Sequence, residues 1–122
     1  MSKFVIRRVS SGIKFDLRAA NGQTIATSEV YTTEAACHNG IRSIRKNAPV
    51  ANVEDRTGDN VTLRKNPKFE LYEDKAGDFR FRLRARNGQI IAVSDGYQTR
   101  AGCLSGMESV RKNAADAEIV EE

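Results

Sequence analysis

The chain has 122 residues, 39% of them apolar and 30% charged, with a net charge of +4. That length suits one ordinary domain, or two very small ones that need each other, and the composition is that of a globular protein with a heavily charged surface. No apolar run approaches the ~20 residues that cross a bilayer, and the start of the chain lacks the apolar core and cleavage site of a signal peptide, so a cytoplasmic protein with no membrane partner is expected.

In chain order, Lys3 to Val9 alternates as a strand, with Phe4 and Ile6 on one face. A turn at Ser10-Ser11-Gly12 leads to a second strand, Ile13 to Ala19, with Phe15 and Leu17 inward and Lys14, Asp16 and Arg18 outward. Asn21-Gly22 is a hairpin signal for a type I′ turn, whose two central residues both need positive φ. Gln23 to Glu29 is the third strand of this antiparallel meander. Thr33 offers a helix N-cap, and Cys37, Ile41 and Ile44 then form an apolar stripe at i, i+4 and i+7. Ala36 and Gly40 on its flank allow a close approach to the strands. Pro49 stops the helix, and Val50 to Val53 is short enough to be a fourth strand. Residues 54–67 hold turn residues and no sustained periodicity.

The pattern then returns. Phe69 to Tyr72, Phe79 to Arg86 and Gln89 to Ser94 read as strands, with Asn87-Gly88 between the last two. A helix follows from Thr99 with Cys103, Met107 and Val110 as its stripe, and Ala117 to Val120 closes the chain. Phe15–Val53 and Phe81–Ile119 agree at 21 of 39 positions, which identifies an internal duplication. We place repeat one at about 3–54, the connection at about 55–67 and repeat two at about 68–121. A lone repeat is too small for a secure core, so the two should share one domain. The expected fold is α+β, with helices on one face of an antiparallel sheet.

The doubled pattern Phe-x-Leu-Arg-Ala-x-Asn-Gly-Gln-x-Ile-Ala-x-Ser, then Tyr31 or Tyr97, then a helix ending in Arg-Lys-Asn-Ala, resembles the YegP-like family of bacterial proteins of uncharacterised function. The resemblance covers nearly the whole chain. It implies two tandem β(3)-α-β repeats in a single sheet, with the C-terminal strand of each exchanged onto the other. Single-repeat members are held to reach that arrangement as homodimers. Both copies lie in one polypeptide here, which implies a monomer with pseudo-twofold symmetry. The family brings no activity, substrate or catalytic residue.

Several residue groups invite a functional reading. Arg80, Arg82, Arg84 and Arg86 fall at period two, so all four guanidiniums should project from one face of a strand. Such a row spans roughly 20 Å and suits the phosphates of nucleic acid or another polyanion, with Lys14 and Arg18 as the first copy's counterparts. Its structural alternative is a solvated face paired across strands with Glu70, Asp74 or Asp95. Arg45-Lys46 and Arg111-Lys112 end the two helices, where cations meet the negative end of the helix dipole; as a functional site they would be two symmetric basic spots for one anion. Cys37 and Cys103 read as small buried thiols, the alternative being a redox role that needs an acidified, accessible sulfur. The sole histidine, His38, points about 100° away from Cys37 and has no counterpart in the second copy, which carries Leu104. No metal-ligand spacing, phosphate loop or nucleophile elbow is present, so no cofactor and no enzyme is expected. The reading is a non-catalytic binding module whose partner is a protein, or alternatively nucleic acid.

Overall fold

A computed structural model describes all of residues 1–122. Six strands run antiparallel through the middle of one sheet: β1 (Lys3–Val9), β2 (Gly12–Arg18) and β3 (Thr24–Thr27) from repeat one, and β5 (Lys68–Glu73), β6 (Phe79–Arg84) and β7 (Ile90–Val93) from repeat two. Helix α1 (Glu34–Asn47) is followed by a 3₁₀ turn, Ala48–Val50, and then by β4 (Asn52–Asp55). Helix α2 (Arg100–Ala114) is followed by β8 (Glu118–Glu121). The sheet order is β4-β5-β6-β7-β3-β2-β1-β8, a palindrome about the β7–β3 seam, where Thr27 faces Val93.

The exchange of terminal strands is explicit. Strand β4 leaves repeat one and pairs with β5 of repeat two, while β8 leaves repeat two and pairs with β1. Both of these outer pairs are parallel, so the expected antiparallel sheet is a mixed one. Parallel pairing needs a connection of about a dozen residues or more, and residues 56–67, which hold no helix, supply one between β4 and β5.

One core cluster of 24 buried residues draws on both repeats. Phe4 and Phe15 meet edge to face at 5.7 Å, as do Phe69 and Phe81. The helical stripes Cys37/Ile41/Ile44 and Cys103/Met107/Val110 are buried against these rings. Thr33 and Thr99 cap their helices by accepting from the backbone N–H of Ala36 and Gly102.

The hairpins differ from the expected type I′ form. Neither Asn21 nor Asn87 has positive φ; only Gly22 (+87°) and Gly88 (+85°) do. Gly22 N–H donates to Ala19 O, and Ala19 N–H donates to Gln23 O, and the same bonds link Gly88, Ala85 and Gln89. This is a three-residue loop, a type I turn closed by a glycine bulge. The extra residue shifts the register after Leu17 and Leu83, and β6 stops at Arg84, short of Arg86.

Candidate functional site

The arginine row is not an open array. Arg80 Nε lies 2.6 Å from Asp74, and Arg82 and Arg84 donate to the same Glu70 oxygen at 2.5 and 2.7 Å. Arg82 also covers the Tyr72 ring, and Arg84 reaches the Gly88 carbonyl. The Asp74 hydrogen bond holds the Arg80 guanidinium above its ordinary value. Glu70 belongs to a larger cluster in which Lys68 and Arg56 bond Glu54 at 2.9 and 2.6 Å. Burial alone would raise the Glu54 carboxyl; hydrogen bonds from Lys68, the Arg64 backbone N–H and Arg56 outweigh it and bring the value down to about 2. Burial pushes Glu70 the same way, and Arg82 and Arg84 reverse that to a lowered value. In repeat one, Arg7 and Arg18 both bond Asp16, at 2.9 and 3.3 Å, while Lys14 has no carboxylate partner.

The helix-end pairs divide. Arg45 reaches across the pseudo-twofold axis to the carbonyls of Ala114 and Ala117 and lies over Phe4; Arg111 does the same to Ala48 and Ala51 and lies over Phe69. These two arginines satisfy carbonyls left open at helix ends. Lys46 and Lys112 stay exposed. The cysteines are fully buried and unpaired. Burial pushes Cys103 up to about 11 and Cys37 upward as well, the latter helped by Glu34. His38 is half-buried on the flank of α1. No three His, Cys, Asp or Glu side chains come together in a metal-ligating group.

What remains is a cleft of about 310 Å³ between α1 and the second hairpin loop. It brings together two residues that the sequence placed in separate groups, Lys46 from the helix end and Arg86 from the end of the arginine row. Arg42 joins them from one helical turn before Lys46, and sequence reading missed it. Its only signal was the absence of an acidic residue at i±3 or i±4 on α1. Arg42 bonds the Asn39 side chain, Arg86 and Lys46 are exposed, and none of the three has a carboxylate partner. Asn39, Ser43 and Asn87 line the middle of the cleft.

The sequence profile of a Domain of unknown function (DUF1508) matches residues 10–55 and again 74–121. The chain belongs to the DUF1508 family. A UPF0339 protein of Treponema denticola is 65% identical over 54 residues, 44% of this chain and 93% of that protein. A UPF0339 protein of Pseudomonas aeruginosa is 31% identical over 122 residues, 99% of this chain and 97% of its own length. The solution structure of yegP from E. coli, a protein of unknown function, superposes with a TM-score of 0.80 at 30% identity, covering 99% of this chain and 92% of that one. A UPF0339 protein from Shewanella oneidensis does so with 0.80 at 29%, covering 98% and 90%.

The two DUF1508 repeats build the cleft twice, because each helix packs beside the other repeat's hairpin. The second cleft, between α2 and the first hairpin loop, is lined by Ala20, Asn21, Ser105, Glu108, Ser109 and Lys112. Repeat equivalence sets Ala20 against Arg86, Glu108 against Arg42 and Lys112 against Lys46. Three cations face the first cleft, whereas the second has one lysine and a glutamate that accepts from Arg111 at 3.1 Å. Equivalent positions with different charge point to divergence after duplication.

Proposed function

We propose that this DUF1508 protein is a non-catalytic binding module that holds an anionic ligand in the cleft between α1 and the second hairpin loop. The observation that carries this reading is the meeting of Arg42, Lys46 and Arg86 without a carboxylate among them. Three like charges in one concave site raise the local concentration of an anion and favour its binding. The remaining arginines of the row and the helix-end arginines are engaged: Arg80, Arg82 and Arg84 with carboxylates, Arg45 and Arg111 with carbonyls. A non-catalytic role is supported by the two thiols, which burial keeps protonated, and a monomer by the fact that each repeat obtains its exchanged strand within the same chain.

The test is a two-dimensional NMR titration of the protein with inorganic phosphate at low salt. Amides of residues 39–47 and 85–89 should shift together with a Kd on the order of 1 mM, and added salt should weaken the effect. Arg42→Glu, which copies the second repeat, should abolish it with the fold intact. Shifts confined to other surfaces, or none at all, overturn the reading.

A further inference from the structure

The basic cleft continues into a second depression of about 220 Å³, and the two share Asn39, Ser43, Ala85 and Asn87. Together they follow one face of α1 from Ala36 to Asn47, a length of about 16 Å at 1.5 Å per residue. Their ends differ in chemistry. All three cations belong to the half beside the C-terminal turns of α1, while the other half is lined by Tyr31, Ala36, Gly40, Gln89 and Ile91. The middle offers hydrogen-bond donors: with its oxygen engaged by Arg42 or by the Gln89 N–H, each of Asn39 and Asn87 keeps its amide N–H groups free. The Tyr31 hydroxyl bonds no group of the protein, and burial, with Glu29 and Cys37 nearby, holds it protonated by raising its pKa. Neither depression has an acidic lining residue. Glu29, beside Tyr31, accepts from Gln89 Nε2 at 3.3 Å.

This order of groups selects among anions. A nucleic-acid strand carries a phosphate at every ~3.4 Å of axis and needs cations spaced along its path. Here the cations sit at one end only, and the far end has uncharged lining that includes the apolar groups of Tyr31, Ala36 and Ile91. An inorganic anion would leave that far end unused. The partial negative charge at the carbonyl end of α1 works against an anion there, and Arg111 offsets it by bonding the carbonyls of Ala48 and Ala51.

We infer that the cleft takes a small phosphate monoester carried on a ring, with its phosphate at Arg42, Lys46 and Arg86 and its ring between Ala36, Tyr31 and Ile91. This rests on the anion-binding reading above and adds the identity of the ligand's other half. The second cleft does not offer the same site, since no depression lined by Tyr97 and Ile25, the repeat equivalents of Tyr31 and Ile91, continues it.

The experiment compares methyl phosphate, phenyl phosphate and a 12-nucleotide single-stranded RNA by NMR titration of the full chain. Phenyl phosphate should bind about tenfold more tightly than methyl phosphate, the gain from removing one ring face from water. Ala36→Gln, a helix-compatible change that places a polar side chain across the apolar half, should remove that advantage and leave methyl phosphate unchanged. Equal affinity for the two esters overturns the ring assignment while leaving anion binding in place. Failure of both esters overturns the anion-binding reading itself. RNA that binds more tightly than phenyl phosphate, and loses that binding in Arg42→Glu, overturns the small-ligand assignment in favour of a nucleic acid.

Discussion

At Gly40 and Gly106 one added methyl group would run into a tyrosine ring. A Cβ on Gly40 would overlap the Tyr31 hydroxyl and lie 2.7 Å from its Cζ and 3.1 Å from Phe15 Cε2. The Tyr31 ring cannot retreat, because it stacks on Phe15 with centroids 6.3 Å apart, and its backbone is bonded to Ile13. Gly106 stands in the same relation to Tyr97 and Phe81. Gly40→Ala gains about 1 kcal/mol of helix propensity and meets an overpacking cost of ~1–3 kcal/mol. The ring is pinned, so the cost should win. Urea denaturation should show a net loss of about 1 kcal/mol, partly recovered when Tyr31→Phe is added. A neutral or stabilising Gly40→Ala would mean that the helix is free to move away from the sheet.

At the scale of elements, the outer sheet face of β4, β5 and β6 is held by Glu54 and Glu70 among Arg56, Lys68, Arg82 and Arg84. Glu54 is fully buried there, and its carboxyl falls from an ordinary 4.5 to about 2. A carboxyl lowered on folding contributes stability that is complete above its unfolded value and is lost as pH falls towards the folded one. Thermal stability should therefore decline between about pH 4.5 and about pH 2. Glu54→Gln should cost about 3 kcal/mol at neutral pH, because it leaves cations without their buried partner, and it should flatten the acid limb of the curve. An unchanged acid limb would assign the pH dependence to other carboxylates.

At the scale of the whole molecule, the pseudo-twofold axis supplies an internal control. The clefts occupy equivalent places in the two repeats and differ in charge at two equivalent pairs, Arg42/Glu108 and Arg86/Ala20. Ala20→Arg together with Glu108→Arg should give the second cleft the cations of the first. Phosphate binding should then rise from one to two per chain, with new amide shifts at residues 105–113. All four positions are on the surface, so the fold should not change. A stoichiometry that stays at one would show that charge alone does not make the site.

Much of the fold was legible in the sequence because it depends on local pattern and on repetition. Alternation marked the central strands, Thr33 and Thr99 marked the caps, and two copies of one pattern implied a shared core. The exchanged strands came from resemblance to a family, since four residues such as 50–53 carry too little periodicity to choose a neighbour. Tertiary structure decided the rest. Glycine conformation closed the hairpins as bulged loops, which ended β6 before Arg86 and separated that residue from Arg80, Arg82 and Arg84. Burial decided that Glu70 would take up two of those arginines, a pairing that period-two spacing admits without requiring. The cleft itself was hidden because Arg42 and Arg86 lie 44 positions apart and in different repeats. Only the packing of one repeat's helix beside the other repeat's hairpin places them around the same space.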